Sequence, residues 1–86
     1  MIDNYKSIIK EEFGKRLKES RKTAGFTQRE VAEKLNMTQQ QYSRFENGIF
    51  ELNYEQIIFI CRLYDVSADF LFGLSEYWIN KKALEF

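Results

Sequence analysis

The sequence predicts an all-α fold, five helices followed by a short helical extension at the carboxyl end. Three observations carry that expectation. The 86 residues contain no Pro and only four Gly, which leaves helices uninterrupted and supplies few of the turns that a sandwich or barrel needs. Capping signatures recur in quick succession, at Thr27 with Glu30, Thr38 with Gln41 and Asn53 with Gln56. In each, two side chains three residues apart can satisfy one another's free backbone amides. The apolar side chains around them repeat at helical spacing. A chain this short makes one domain, and 44% hydrophobic residues, with eight Phe and five Tyr, suffice for a small core.

The first helix is expected to start at Asp3 or Asn4, either of which can cap it, and to run to Ala24. Ile9, Phe13, Leu17, Arg21 and Ala24 mark its buried side, and Gly25 provides the exit. Lys15, Arg16, Lys18 and Lys22 occupy much of the remaining circumference. Thr27 opens a short second helix with Val31, Ala32 and Leu35 facing inward. Thr38 opens a third that buries Tyr42 and Phe45 and ends near Asn47-Gly48. Only Asn36 to Thr38 separate the two, and so short a link forces a steep crossing. Ala32 lets the backbones approach, while Met37 fills the space beneath the turn. From Asn53, a fourth helix carries Ile57, Ile60, Cys61 and Tyr64 on its apolar side. Asp65-Val66-Ser67 leads to a fifth, Ala68 to Phe72, with Phe70 and Leu71 inward and Gly73 as exit. Ser75 can cap a last segment, Glu76 to Glu85.

Several function classes are disfavoured at once. The longest apolar run, Ile57 to Cys61, is five residues, against roughly 18 needed to span a bilayer. Met1 to Lys6 shows no basic region followed by an apolar one, so no export signal and a cytoplasmic location are expected. Cys61 has no partner for an internal disulfide and is expected as a reduced, buried core thiol. There is no His, no Cys cluster and no Gly-rich phosphate loop, and Ser43 and Ser67 lack a base. Neither an enzyme, nor a metal site, nor a cofactor is expected. A net charge of zero argues mildly against a nucleic-acid partner. Its distribution softens that argument: residues 1–50 carry ten basic and seven acidic side chains, and residues 51–86 carry three and six. Halves of opposite sign let one face meet phosphates while another meets protein or solvent.

The third helix is the candidate site. Gln39, Gln40, Ser43 and Arg44 project from the side opposite Tyr42 and Phe45. Glutamine can pair with adenine through two hydrogen bonds in the major groove, and Arg does the same with guanine. An ordinary solvated face would also be polar, but adjacent glutamines at the start of a helix, beside a second capped helix, favour base reading.

At this point the chain resembles the phage repressor and Cro-like helix-turn-helix family. The residues that carry the likeness are Arg21, Gly25-Phe26-Thr27-Gln28, Val31-Ala32, Leu35, the run Thr38 to Gly48, and Val66 to Leu71. The resemblance implies a five-helix repressor-like domain over residues 1–74, with the helix-turn-helix at 27–48. Residues 75–86 would then be an extension packing on the core or in a dimer interface. It implies a sequence-specific regulator that binds double-stranded DNA, a dimeric repressor on a pseudo-palindromic operator. Gln39, Gln40, Ser43 and Arg44 would face base edges. Gln28 and Asn47 would hold phosphates, and Arg21 and Glu46 would form a buried ion pair between the first and third helices.

The chain also departs from the family pattern. Members often carry Lys or Arg just after the glycine and a Pro before the fourth helix, where this sequence has Ile49, Phe50, Glu51 and Leu52. A phosphate contact is lost there, which shifts weight to Lys6, Lys10, Lys15 and Arg16. Phe50 and Leu52 are expected on the core or in a dimer seam. The rival reading is an antitoxin or adaptor that uses the same scaffold to hold a protein partner. It draws on the acidic second half and on Tyr77, Trp78, Ile79, Leu84 and Phe86.

Overall fold

Every cap proposed for the middle of the chain is made. Thr27, Thr38 and Asn53 each accept from the amide three residues on, and the side chain there accepts from the cap's own amide. These reciprocal pairs open α2 (Gln28–Lys34), α3 (Gln39–Glu46) and α4 (Tyr54–Tyr64). They are preceded by α1 (Ile2–Ala24) and followed by α5 (Ala68–Leu71). The Ser67 hydroxyl caps α5 by accepting from the Phe70 amide at 3.0 Å. This computed structural model describes the backbone of residues 2–76, with side chains from residue 4 onward. Among the described residues there are five helices and no strand. The extension expected over residues 75–86 lies, past Glu76, outside them.

Helix exits follow one rule. The chain turns left-handed at Gly25, Asn36, Gly48, Asp65 and Gly73. After each, the next amide returns to a carbonyl of the preceding helix: Phe26 to Arg21, Met37 to Ala32, Ile49 to Arg44, Val66 to Cys61 and Leu74 to Asp69. Asn36 and Asp65 manage this without being glycine, since short polar side chains tolerate that conformation best. The turn between α2 and α3 is therefore fixed by backbone bonds.

α1 packs on α3, α4 and α5, while α2 packs on α3 and α4 on α5. Leu17, Val31, Ala32, Tyr42, Ile60 and Leu71 form the fully buried centre. Phe13, Phe26, Leu35, Met37 and Phe45 close around it. Three expectations are corrected. α1 already includes Ile2, so Asp3 and Asn4 lie in its first turn rather than capping it. Ile9 is 47% exposed: at 23 residues α1 outreaches its neighbours, of which the longest has 11. Cys61 is half-buried at the rim of the core rather than enclosed, though burial still pushes its thiol pKa up.

The backbones of α1 and the end of α3 approach one another closely. Gly14 is buried mid-helix, where a Cβ would come within 2.8 Å of the Glu46 carbonyl carbon. Across the same contact, Gly48 has φ +73° and a Cβ there would lie 3.0 Å from the Glu11 Cα. Two glycines let α1 lie directly on the third helix. Gly14 was absent from the sequence-derived core, although it is the one glycine away from a helix exit.

Candidate nucleic-acid interface

The third helix is held by one carboxylate. Arg21 Nε donates to Glu46 Oε2 at 2.8 Å and Arg21 Nη2 to Oε1 at 3.2 Å. The two side chains are 9% and 1% exposed. This two-pronged geometry is the strong form of an ion pair. The hydrogen bond to Glu46 raises the Arg21 pKa against the opposing effect of burial, keeping the guanidinium charged. Arg21 Nη1 also donates to the Phe26 carbonyl at 2.8 Å. Glu46 Oε1 accepts a further bond from Gln28 Nε2 at 3.0 Å. One carboxylate on α3 thus ties down α1 and α2 together.

Beside it, the Tyr42 and Tyr64 hydroxyls share a hydrogen bond of 2.6 Å that links α3 to α4. Desolvation pushes both phenol pKa values above the ordinary tyrosine range. With its inner side fixed in this way, α3 turns its other side to solvent. Gln39, Gln40 and Arg44 are exposed, and Ser43 is half-buried. Gln39 with Ser43, and Gln40 with Arg44, are spaced one turn apart and so form neighbouring pairs on the helix surface. These four side chains and Gln28 line one open groove of about 410 Å³. At the far end of α3, Asn47 Nδ2 donates to the Ser43 Oγ at 3.2 Å.

The phosphate-holding candidates are divided between this groove and other surfaces. Gln28 lies at the groove, but its amide nitrogen is already engaged by Glu46, so it serves the scaffold as well as the surface. Lys15 is exposed and shared between Glu11 at 3.6 Å and Glu12 at 3.5 Å. Arg16 lies away from the groove. Its guanidinium lies at the exit of α5, where a Cβ on Gly73 would be 2.9 Å from it. Two residues along a helix turn the side chain most of the way to the opposite side, so Arg16 points away from the α3 contact that Gly14 makes. Lys10 is 3.9 Å from Glu51, which offsets the acidic charge on the loop after α3. Arg44 lies over the Phe50 ring, 5.6 Å from its centroid. Leu52 is buried in the core and Phe50 is not.

Two capped helices joined by a left-handed turn, the second presenting a polar face, define a helix-turn-helix domain. Residues 17–71 match the helix-turn-helix family model, and the chain belongs to the phage repressor and Cro-like helix-turn-helix family. That family is not one of enzymes. The chain is 42% identical over 69 residues to the HTH-type transcriptional regulator ImmR of Bacillus subtilis (strain 168), covering 80% of this chain and 53% of that protein. It is 39% identical over 59 residues to the uncharacterized HTH-type transcriptional regulator YqaE of the same organism, covering 69% and 51%. With the SPbeta prophage-derived uncharacterized HTH-type transcriptional regulator YonR of that strain, identity is 36% over 59 residues, 69% and 55% of the two chains. The chain therefore spans about half the length of the curated relatives it matches. No solved structure matches it.

Proposed function

We propose that this chain is a DNA-binding transcriptional regulator that reads a specific double-stranded sequence with α3, as a dimeric repressor on a pseudo-palindromic operator in the cytoplasm. The observation that carries the reading is the groove in which Gln28, Gln39, Gln40, Ser43 and Arg44 converge. A helix enters the major groove with its amino-terminal turn deepest, and here that turn is Gln39 and Gln40. Gln28 and Asn47 flank it and hold phosphates, together with Lys15 and Arg16 of α1. Contacts of that kind position the protein without reading sequence.

Support for the dimer comes from apolar surface beyond α3: Ile49, Phe50, Tyr54, Ile58, Phe72 and Leu74 are each about half exposed or more. Two copies would place their α3 helices one DNA turn apart, roughly 34–36 Å. A protein partner on that surface is the second reading, the adaptor or antitoxin. Among the described residues no helix is long and apolar enough to cross a membrane.

The test is a competition titration at one salt concentration, using a duplex selected from a random library and a scrambled duplex. Gln39→Ala and Gln40→Ala are expected to weaken the selected duplex by ~1–3 kcal/mol and leave the scrambled one nearly unchanged. Gln28→Ala is expected to weaken both by similar factors. If the Gln39 and Gln40 variants keep the original preference, α3 is not the reader and the adaptor becomes the better account. Sedimentation giving a monomer at high micromolar concentration, with and without DNA, would remove the dimer.

A further inference from the structure

We infer that Phe50 is a positioning residue for base reading: its ring holds the Arg44 guanidinium at the edge of the groove. This rests on the reading of Arg44 as a base-contacting side chain. Phe50 stands in the segment where the family pattern would place a basic residue, and it is 52% exposed, so burial does not account for an aromatic ring here. Its backbone is tied to the residue it serves. The Arg44 carbonyl accepts from the Ile49 amide at 2.9 Å and the Phe50 amide at 3.3 Å. The ring is carried by those bonds to a point 5.6 Å from Arg44 Cζ. A ring with the Arg44 Cζ lying over it attracts the guanidinium through its π face and uses no carboxylate-type hydrogen bond to the N–H edge. That edge is what pairs with guanine. A carboxylate partner would consume it, and among the described residues Arg44 has none.

The experiment is a double-mutant cycle on the full chain, with Phe50→Leu, Arg44→Ala and both together. Each variant is titrated against the selected duplex and a set of its single-base-pair variants, at a protein concentration where sedimentation gives all of them one mass. Phe50→Leu is expected to weaken the selected duplex about two- to five-fold. It should flatten discrimination only at base pairs where Arg44→Ala also does, and should add nothing in the Arg44→Ala background. Phe50→Tyr should restore the original profile. Additive losses, or a Phe50→Leu loss uniform across the duplexes, would overturn the positioning role while leaving Arg44 as a reader. An Arg44→Ala variant with unchanged discrimination would overturn the reading of Arg44, and the role of Phe50 with it.

Discussion

Replacing Gly14 by Ala sets a stabilising and a larger destabilising effect against each other at a single atom. Within a free helix the change stabilises, because Gly costs about 1 kcal/mol relative to Ala in a helix interior. Here the new methyl would come within 2.8 Å of the Glu46 carbonyl carbon and 3.0 Å of the Phe45 oxygen. Those atoms are backbone, so no side-chain rotation relieves the clash, and α1 must move away from α3. Overpacking of this kind costs ~1–3 kcal/mol, and the upper end applies because the displacement reaches further. Arg21 lies two turns along the same side of α1, and its bonds to Glu46 of 2.8 and 3.2 Å depend on the same spacing. The net expectation is a loss of about 2 kcal/mol, a fall in melting temperature of roughly 8–16 °C for a domain of this size. Urea denaturation followed by circular dichroism measures it, with an unchanged slope showing that the surface exposed on unfolding is the same. A midpoint equal to or above the parent's would mean that α1 does not rest on α3 backbone, and would refute the packing argument.

Two further outcomes follow from the buried polar groups. Glu46→Ala is expected to destabilise the fold by about 3 kcal/mol, the lower end for a broken buried pair, because Arg21 keeps its bond to the Phe26 carbonyl; an unchanged urea midpoint would count against it. Alkaline stability should fall once the pH passes the ordinary tyrosine value of 10.0. Tyr42 and Tyr64 have raised folded pKa values, so their contribution is complete below that value and is lost above it, where the unfolded chain alone releases protons. A melt series from pH 8 to 11 in the parent and in Tyr42→Phe reads this directly, the variant being expected to lose less of its stability with rising pH.

Local signals made most of the fold legible. Capping depends on residue type at a fixed offset of three, so Thr27, Thr38 and Asn53 announce their helices without any knowledge of the rest of the chain. The polar groove was legible for a related reason: four of its five residues lie within one and a half turns of α3. What sequence could not give was the meeting of distant segments. Gly14 reads as a defect in α1 until Glu46 is seen against it. Arg16 and Lys15 are neighbours in sequence, yet one turns to the exit of α5 and the other to the exposed carboxylates of α1. Asn36 is legible as the first residue of the link after α2, but not its left-handed conformation, which asparagine takes less often than glycine. The pairing of Phe50 with Arg44 spans six residues across a turn whose geometry no composition rule supplies.

The arrangement separates holding from reading along a helix of eight residues. Glu46, in its last turn, takes bonds from α1 and α2, and Tyr42 shares one with α4. Both are buried, and a change at either leaves a polar group without its partner, at a cost of ~1–3 kcal/mol or more. Gln39, Gln40 and Arg44 make no bond to the scaffold through their side-chain amides or guanidinium among those of the described residues. Substitutions there stay within the range of surface changes, usually under 0.5 kcal/mol of stability. Such a helix can exchange its outward residues freely while its position is set by inward ones. Gln28 is the exception, because the amide that faces the groove is also the one that Glu46 fixes. Loss of Glu46 should therefore be felt twice, once in the melt and once in the orientation of Gln28 at the reading surface. A variant that restores the melt without restoring that bond would separate the two effects.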